Sequence, residues 1–456
     1  MDAVSDGARA GEAPKHSFAY KRRRFFNWFV LGLTYASYYV GRYNLNVVKP
    51  YVEKHYLLGS QGKFGLIGLC GFWTYAASEL VNGPLTDRLG GRKAILIGAV
   101  GAGSFNFLIG LLFLGPFGAH ILLGMSLLYS LNMLFQSFGA MSVVKVNAPW
   151  FHVRERGGFG GIFGIMISLG YTLAFTISNY LMGLVKQGTV SLSFVFYAPT
   201  VALAVMFLVS LLVVRDHPSG AGFHDFPTGD ASQGNTEKVG YRYILKHVAS
   251  NPVILTLMVA EFCTGFVRQS LLFFAPEWLE KVHHATAGGW TLSSLGPAIT
   301  IGAIFGGLVA GYSSDYLFQS RRPPVAFFFY LAQIASIIGL GMVGGKVASI
   351  VMIGVACAFI FGVHGMLSGT ASMDFGGAKG AASAAGMLDG IQYVASGITS
   401  VGMGALIDRY GWGAWTWSIV PFSVAGALIM TRLWNAKPGL KSAPAPAAAV
   451  AIDPSA

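Results

Sequence analysis

The sequence predicts an all-α integral membrane protein of about twelve transmembrane helices, arranged as two pseudo-symmetric six-helix bundles. Three observations carry that prediction. Apolar runs of about 20 residues, long enough to cross a hydrocarbon core, recur along the whole chain. Of the 456 residues, 54% are hydrophobic and 11% are charged, against about a quarter charged in soluble domains. The 61 glycines and 34 phenylalanines suit helices that approach one another through small residues and meet lipid with large ones.

In chain order, the apolar windows fall near 25–55, 64–86, 94–114, 118–143, 158–183, 193–214, 252–275, 291–313, 325–345, 348–372, 381–406 and 414–433. Residues 1–24 form a polar N-terminal tail that ends in Lys21, Arg22, Arg23 and Arg24, with a full span behind it rather than a signal-peptide core. Residues 25–214 make the first bundle, 215–250 a Pro- and Gly-containing linker, 251–433 the second bundle, and 434–456 a low-complexity tail. Lys and Arg gather in alternate connections. The opposite connections hold only Lys49, Lys54, Lys63, Lys186, Lys281, Lys346 and Arg409, which places both termini in the cytoplasm. The net charge of +12 therefore reflects topology and implies no nucleic-acid partner. Cys70, Cys263 and Cys357 lie in spans without metal or disulfide spacing and read as buried free thiols. No metal, cofactor or enzymatic motif is expected.

The two halves echo each other. Arg42 and Arg268, Asp87 and Asp315, and the basic entries to the fifth and eleventh spans recur at nearly one separation. A parallel repeat about an axis normal to the membrane puts a binding site at mid-depth between the halves. The turn "GPLTDRLGGRK" (83–93) is the sharpest local motif. Gly83 permits close helix contact, Asp87 ends a helix, and Arg88, Gly91 and Arg92 complete a basic turn. This pattern, between spans two and three, resembles the signature loop of the major facilitator superfamily, with a degraded copy around Asp315. The resemblance implies a role in conformational switching for Gly83, Asp87, Arg88, Gly91, Arg92 and Asp315.

An arginine within a span costs about 3 kcal/mol on insertion scales and persists only where it faces protein or water. Arg42 sits in "YASYYVGRYNLN" and Arg268 in "EFCTGFVRQSLLFF". Each is either a structural ion-pair partner, for example to Glu79 or Glu261, or half of a two-arginine grip on one dianion. A guanidinium suits the second task because its planar fork stays charged and donates two parallel bonds. Tyr35 and Tyr38 share the helical face of Arg42, with Tyr39 nearby. Tyr75 and Glu79 share a face of the second span.

The stretch around Arg42, "ERGG" (155–158), Arg268 and "GTASMDFGGAKGAASAAGMLDGIQYVASG" (369–397) resemble the organophosphate:phosphate antiporters. The last stretch is similar to their sugar-phosphate exchanger branch. That likeness implies alternating-access exchange of glycerol 3-phosphate, hexose phosphate or phosphoglycerate for inorganic phosphate, by a monomer in the bacterial inner membrane. The family's substrate arginines fall on Arg42 and Arg268, and its cavity tyrosines on Tyr35, Tyr39, Tyr75 and Tyr393. Three basic groups of the glycerol-3-phosphate carrier are missing: Tyr43, Glu79 and Ile167 stand near their places. Glu79, Glu261 and Asp389 thus become candidates for proton coupling or ion pairing, whereas His364 reads as packing. The alternatives are a proton-coupled organic-anion transporter and a membrane sugar-phosphate sensor.

Overall fold

The computed structural model describes residues 16–115, 120–226, 228, 250–319 and 321–435. Twelve long helices run through them. The first half comprises α1 (Phe18–Tyr56), α2 (Gln61–Leu89), α3 (Gly91–Leu112), α4 (Ile121–Gln136, continued by Phe138–Asn147), α5 (Val153–Lys186) and α6 (Ser193–Val213). The second comprises α7 (Pro252–Lys281), α8 (Leu295–Tyr312), α9 (Arg322–Met342), α10 (Lys346–His364), α11 (Ser372–Tyr410) and α12 (Gly413–Arg432). Side chains at 153–164, 167, 315 and 369–385 lie outside the described residues, and so do most of the linker and the C-terminal tail.

Local chemistry sets several helix starts. The Ser17 hydroxyl accepts from Tyr20 N, and Ser60 accepts from Lys63 N. The Asn251 side chain accepts from Val253 N, with Pro252 in the first turn. The helix begun at Ser17 takes in Lys21 to Arg24, which the sequence had assigned to a tail. Pro50 and Pro276 lie inside α1 and α7, each eight positions after its arginine, a further trace of the duplication.

Successive helices alternate in direction, so both ends of the described chain and the central connection share one end of the bundle, the near end. The halves meet chiefly along α2 with α11 and α5 with α8. Their polar contacts gather at mid-depth and at the far end. Asn46 donates to Leu272 O at 2.9 Å, and Thr300 to Ser168 O at 2.6 Å. Farther out, the Asp408 carboxylate accepts from Gln61 N and Gly62 N, and Asn179 donates to Ser293 Oγ at 2.8 Å.

Three expectations are corrected. Lys49 is not a connecting residue but is fully buried in α1. Cys70 is exposed. Gly83 is not a tight-contact site, since a Cβ there would meet only Met141 Sδ at 3.9 Å. Gly91 does that work, because a Cβ on it would fall 2.9 Å from Ser142 O.

Close helix contact is tightest between α8 and α10, where a Cβ on Gly306 would lie 1.8 Å from Ala358 O. Gly307, one residue on, has nothing within 4 Å of such an atom. Gly306→Ala should therefore cost about 1–3 kcal/mol through overpacking, seen as a lowered thermal unfolding midpoint in detergent, while Gly307→Ala should leave the midpoint unchanged or raised.

Candidate functional site

The site is built from α1 inward. Arg42 is 1% exposed, and its Nε donates to Gln136 Oε1 at 2.8 Å. Gln136 is held in turn by Asn132 Oδ1, and Asn132 donates to Gly41 O. Asn106 of α3 joins the same set. These amides sit in apolar spans because each finds a partner there; in hydrocarbon alone they would each cost several kcal/mol. Their effect is to fix one edge of the guanidinium.

The other edge crosses to the second half. Arg42 Nη1 donates to the Tyr393 hydroxyl of α11 at 2.7 Å. The guanidinium carbon stands 4.6 Å from the Tyr75 ring and 5.2 Å from the Tyr39 ring. Arg268 of α7, 5% exposed, stands 5.5 Å from the opposite partner of this arrangement, the Tyr393 ring. One tyrosine thus contacts both arginines, by its hydroxyl on one side and its π-system on the other. Among the described residues, Arg42 Nη2 and Arg268 Nε are buried without a hydrogen-bond partner.

Of the other tyrosines named from the sequence, Tyr75 packs on Tyr393 with ring centroids 4.2 Å apart and planes tilted by 38°, and Tyr35 meets Tyr39 edge-on at 5.5 Å. Tyr38 stands apart. Its hydroxyl donates to Ile95 O at 2.6 Å in the seam between α1 and α3. Helical spacing put it on the face of Arg42, but its long side chain reaches back toward α3 instead. Tyr43 and Tyr171 are part of the aromatic wall, their rings 5.0 Å apart. The sequence signalled Tyr43 only as a departure and gave no reason to select Tyr171.

The acids do not pair with the arginines: among the described residues no ion pair joins Arg42 or Arg268 to a carboxylate. Glu261, fully buried on α7, accepts from Gln392 at 3.3 Å and lies 3.5 Å from His364 Nδ1. His364 is therefore more than packing, because it binds the acid face of α7 together with Gln392. Glu79 faces Asp389 and Tyr75, and neither of its buried oxygens has a hydrogen bond of good geometry. At the near end, Asp87 pairs with Lys145 at 2.8 Å on the surface. Arg92 donates through its backbone to Asp216 and through its side chain to Leu211 O. Arg88 is exposed.

Two six-helix halves around a polar, cationic centre define a polytopic membrane carrier. The chain belongs to the Major Facilitator Superfamily, whose family model matches residues 31–399; it is a member of a transporter family and not an enzyme. Its relatives include the glycerol-3-phosphate transporter of Bacillus subtilis strain 168, 23% identical over 92% of this chain and 94% of that one. The membrane sensor protein UhpC of Salmonella typhimurium is 26% identical, covering 92% and 93%. The probable hexose phosphate transport protein of Chlamydia pneumoniae is 24% identical, covering 93% and 94%. Among solved structures, a D-xylose-proton symporter superposes with a TM-score of 0.69 at 14% identity, over 89% of this chain and 97% of that one. A bacterial homologue of the human lysosomal transporter Spinster, in an inward-facing, occupied form, superposes with a TM-score of 0.67 at 16% identity, over 91% and 97%. These likenesses show the fold.

Tyr393→Phe keeps the ring against both arginines but removes the acceptor for Arg42 Nη1. Leaving that buried donor unpaired should cost about 1–3 kcal/mol. Thermal unfolding of the purified protein measures it, and a midpoint equal to that of the parent protein would remove Tyr393 from its bridging role.

Proposed function

We propose that this protein is a secondary transporter that exchanges an organophosphate of the glycerol-phosphate or sugar-phosphate type for inorganic phosphate by alternating access. The observation that carries the reading is the convergence of Arg42 and Arg268, one from each half, on a single tyrosine, with a buried, unused donor on each guanidinium. A phosphate oxygen would take up such donors at short range, and bridging the two halves through the ligand lowers the barrier to rocking them together. The names of the relatives in Bacillus and Chlamydia support the substrate class. Exchange rather than net uptake follows if the empty carrier reorients slowly, with like charges held together and no anion between them. The charge asymmetry of the connections supports both termini in the cytoplasm. The bacterial relatives support an inner-membrane location.

Reconstituted protein in phosphate-loaded vesicles should take up labelled phosphate, and unlabelled organophosphates presented outside should compete. Arg42→Lys and Arg268→Lys keep the charge and lose the fork. Each should lower exchange by at least about tenfold, the equivalent of one charge-assisted hydrogen bond, in protein that still shows a cooperative thermal unfolding transition. Undiminished exchange in both variants would defeat the two-arginine grip.

A second reading rests on the relative in Salmonella named a membrane sensor: the same site would bind a sugar phosphate and signal without transport. Saturable ligand binding by purified protein with no flux in vesicles favours it. Uptake driven by an imposed pH gradient into phosphate-free vesicles favours proton coupling instead.

A further inference from the structure

The far end holds a second ionic centre, separate from the arginine site. Lys49 of α1 is fully buried, Glu53 is 2% exposed, and Glu277 of α7 is 1% exposed. Lys49 Nζ forms an ion pair with Glu277 and donates to Gln61 of α2. It also lies 3.0 Å from Glu53 Oε1, one helical turn along α1. Gln61 Nε2 donates to Glu277 Oε1 at 2.7 Å. The Phe274 ring stands 4.6 Å from the ammonium and helps wall it off. Glu53 and Glu277, from opposite halves, thus meet on one ammonium.

The charges of this cluster do not balance. One ammonium is enclosed with two carboxyl groups, so the fully ionised cluster would bury one uncompensated negative charge. Asp408 of α11 does not face it; its carboxylate caps the α2 N-terminus through Gln61 N and Gly62 N. Glu280 and Lys186 pair with each other. Among the described residues, Lys49 is the cation that faces both acids. Two carboxyl groups that close, in a site of low dielectric, do not both stay ionised.

We propose that Glu53 holds one proton while the far end is closed, beside the Lys49–Glu277 pair, and releases it to far-side water when the halves part, which makes this cluster a proton-binding site linked to opening. In the closed state Lys49 neutralises one carboxylate and the proton neutralises the other. Opening carries Glu277 away with α7, both acids hydrate, and the proton leaves to solvent. Acid on the far side therefore favours the closed state and alkali the open one. For a single linked proton the closed-to-open ratio changes by at most about tenfold per pH unit.

The test reads conformation and does not depend on what the central site carries. Full-length protein in lipid nanodiscs, with Cys70, Cys263 and Cys357 replaced by alanine, is spin-labelled at Leu58→Cys and Lys346→Cys. Leu58 is 91% exposed in the connection after α1, and Lys346 is exposed at the start of α10, both at the far end and in opposite halves. Pulsed dipolar spectroscopy should show the short-distance population growing as pH falls. Glu53→Gln mimics the protonated acid and should hold the short distance at every pH, whereas Glu53→Asp should keep the dependence. An unchanged distribution in the parent protein overturns the proposal, whether or not the glutamine variant folds. So does a glutamine variant that follows the parent's pH dependence.

Discussion

Two guanidinium groups at mid-depth of a bilayer are the constraint around which this molecule is built. Left alone in hydrocarbon, each would cost several kcal/mol. Among the described residues, neither is neutralised by an adjacent carboxylate. Arg42 is held by neutral acceptors, Gln136 and Tyr393, and by aromatic faces. Arg268 leans on the ring of the same tyrosine. Such solvation by dipoles and π-systems holds the positive charge without cancelling it, so the centre keeps its attraction for an anion. An ion pair at this place would have made a stable structure with little affinity left to offer.

The rest of the centre follows from that choice. Because the arginines are held by neutral groups, the acids of the spans need partners elsewhere. Glu261 turns to His364 and Gln392, and Glu79 turns to Asp389 across the α2–α11 contact. The amide chain of Asn106, Asn132 and Gln136 runs through α3 and α4 as the backing of Arg42. Close helix approach through glycine leaves room for polar side chains inward and large apolar ones outward. Gly65, whose Cβ would fall 2.2 Å from Ser400 O, sets such an approach between the halves.

The far end and the centre divide the labour between them. Tyr393 and the arginines join the halves at mid-depth, at the proposed binding site. Beyond them, Lys49 with its two acids, Asp408 on the α2 N-terminus and Asn179 on the α8 entry join the halves where water would otherwise enter. These outer contacts add ionic and amide contacts to apolar packing such as that of Phe64 against Phe273. Water can compete for contacts of this kind, which suits the alternating access proposed above.

The sequence by itself determined the class of molecule: twelve spans, a duplicated half and a pair of intramembrane arginines. Each of these is written in local terms, as run length, spacing and the cost of a charge in lipid. It also selected Tyr35, Tyr39, Tyr75 and Tyr393 as candidates through family likeness. Only the tertiary structure decided which polar groups meet. It set Tyr38 against Ile95 rather than Arg42, gave Glu261 to His364, and drew Lys49 out of a supposed connection into a buried cluster with an acid 228 residues away. Those pairings depend on helix rotation and on side chains arriving from distant elements. A one-dimensional pattern records neither, since a polar residue in a span says that a partner is required but not which one.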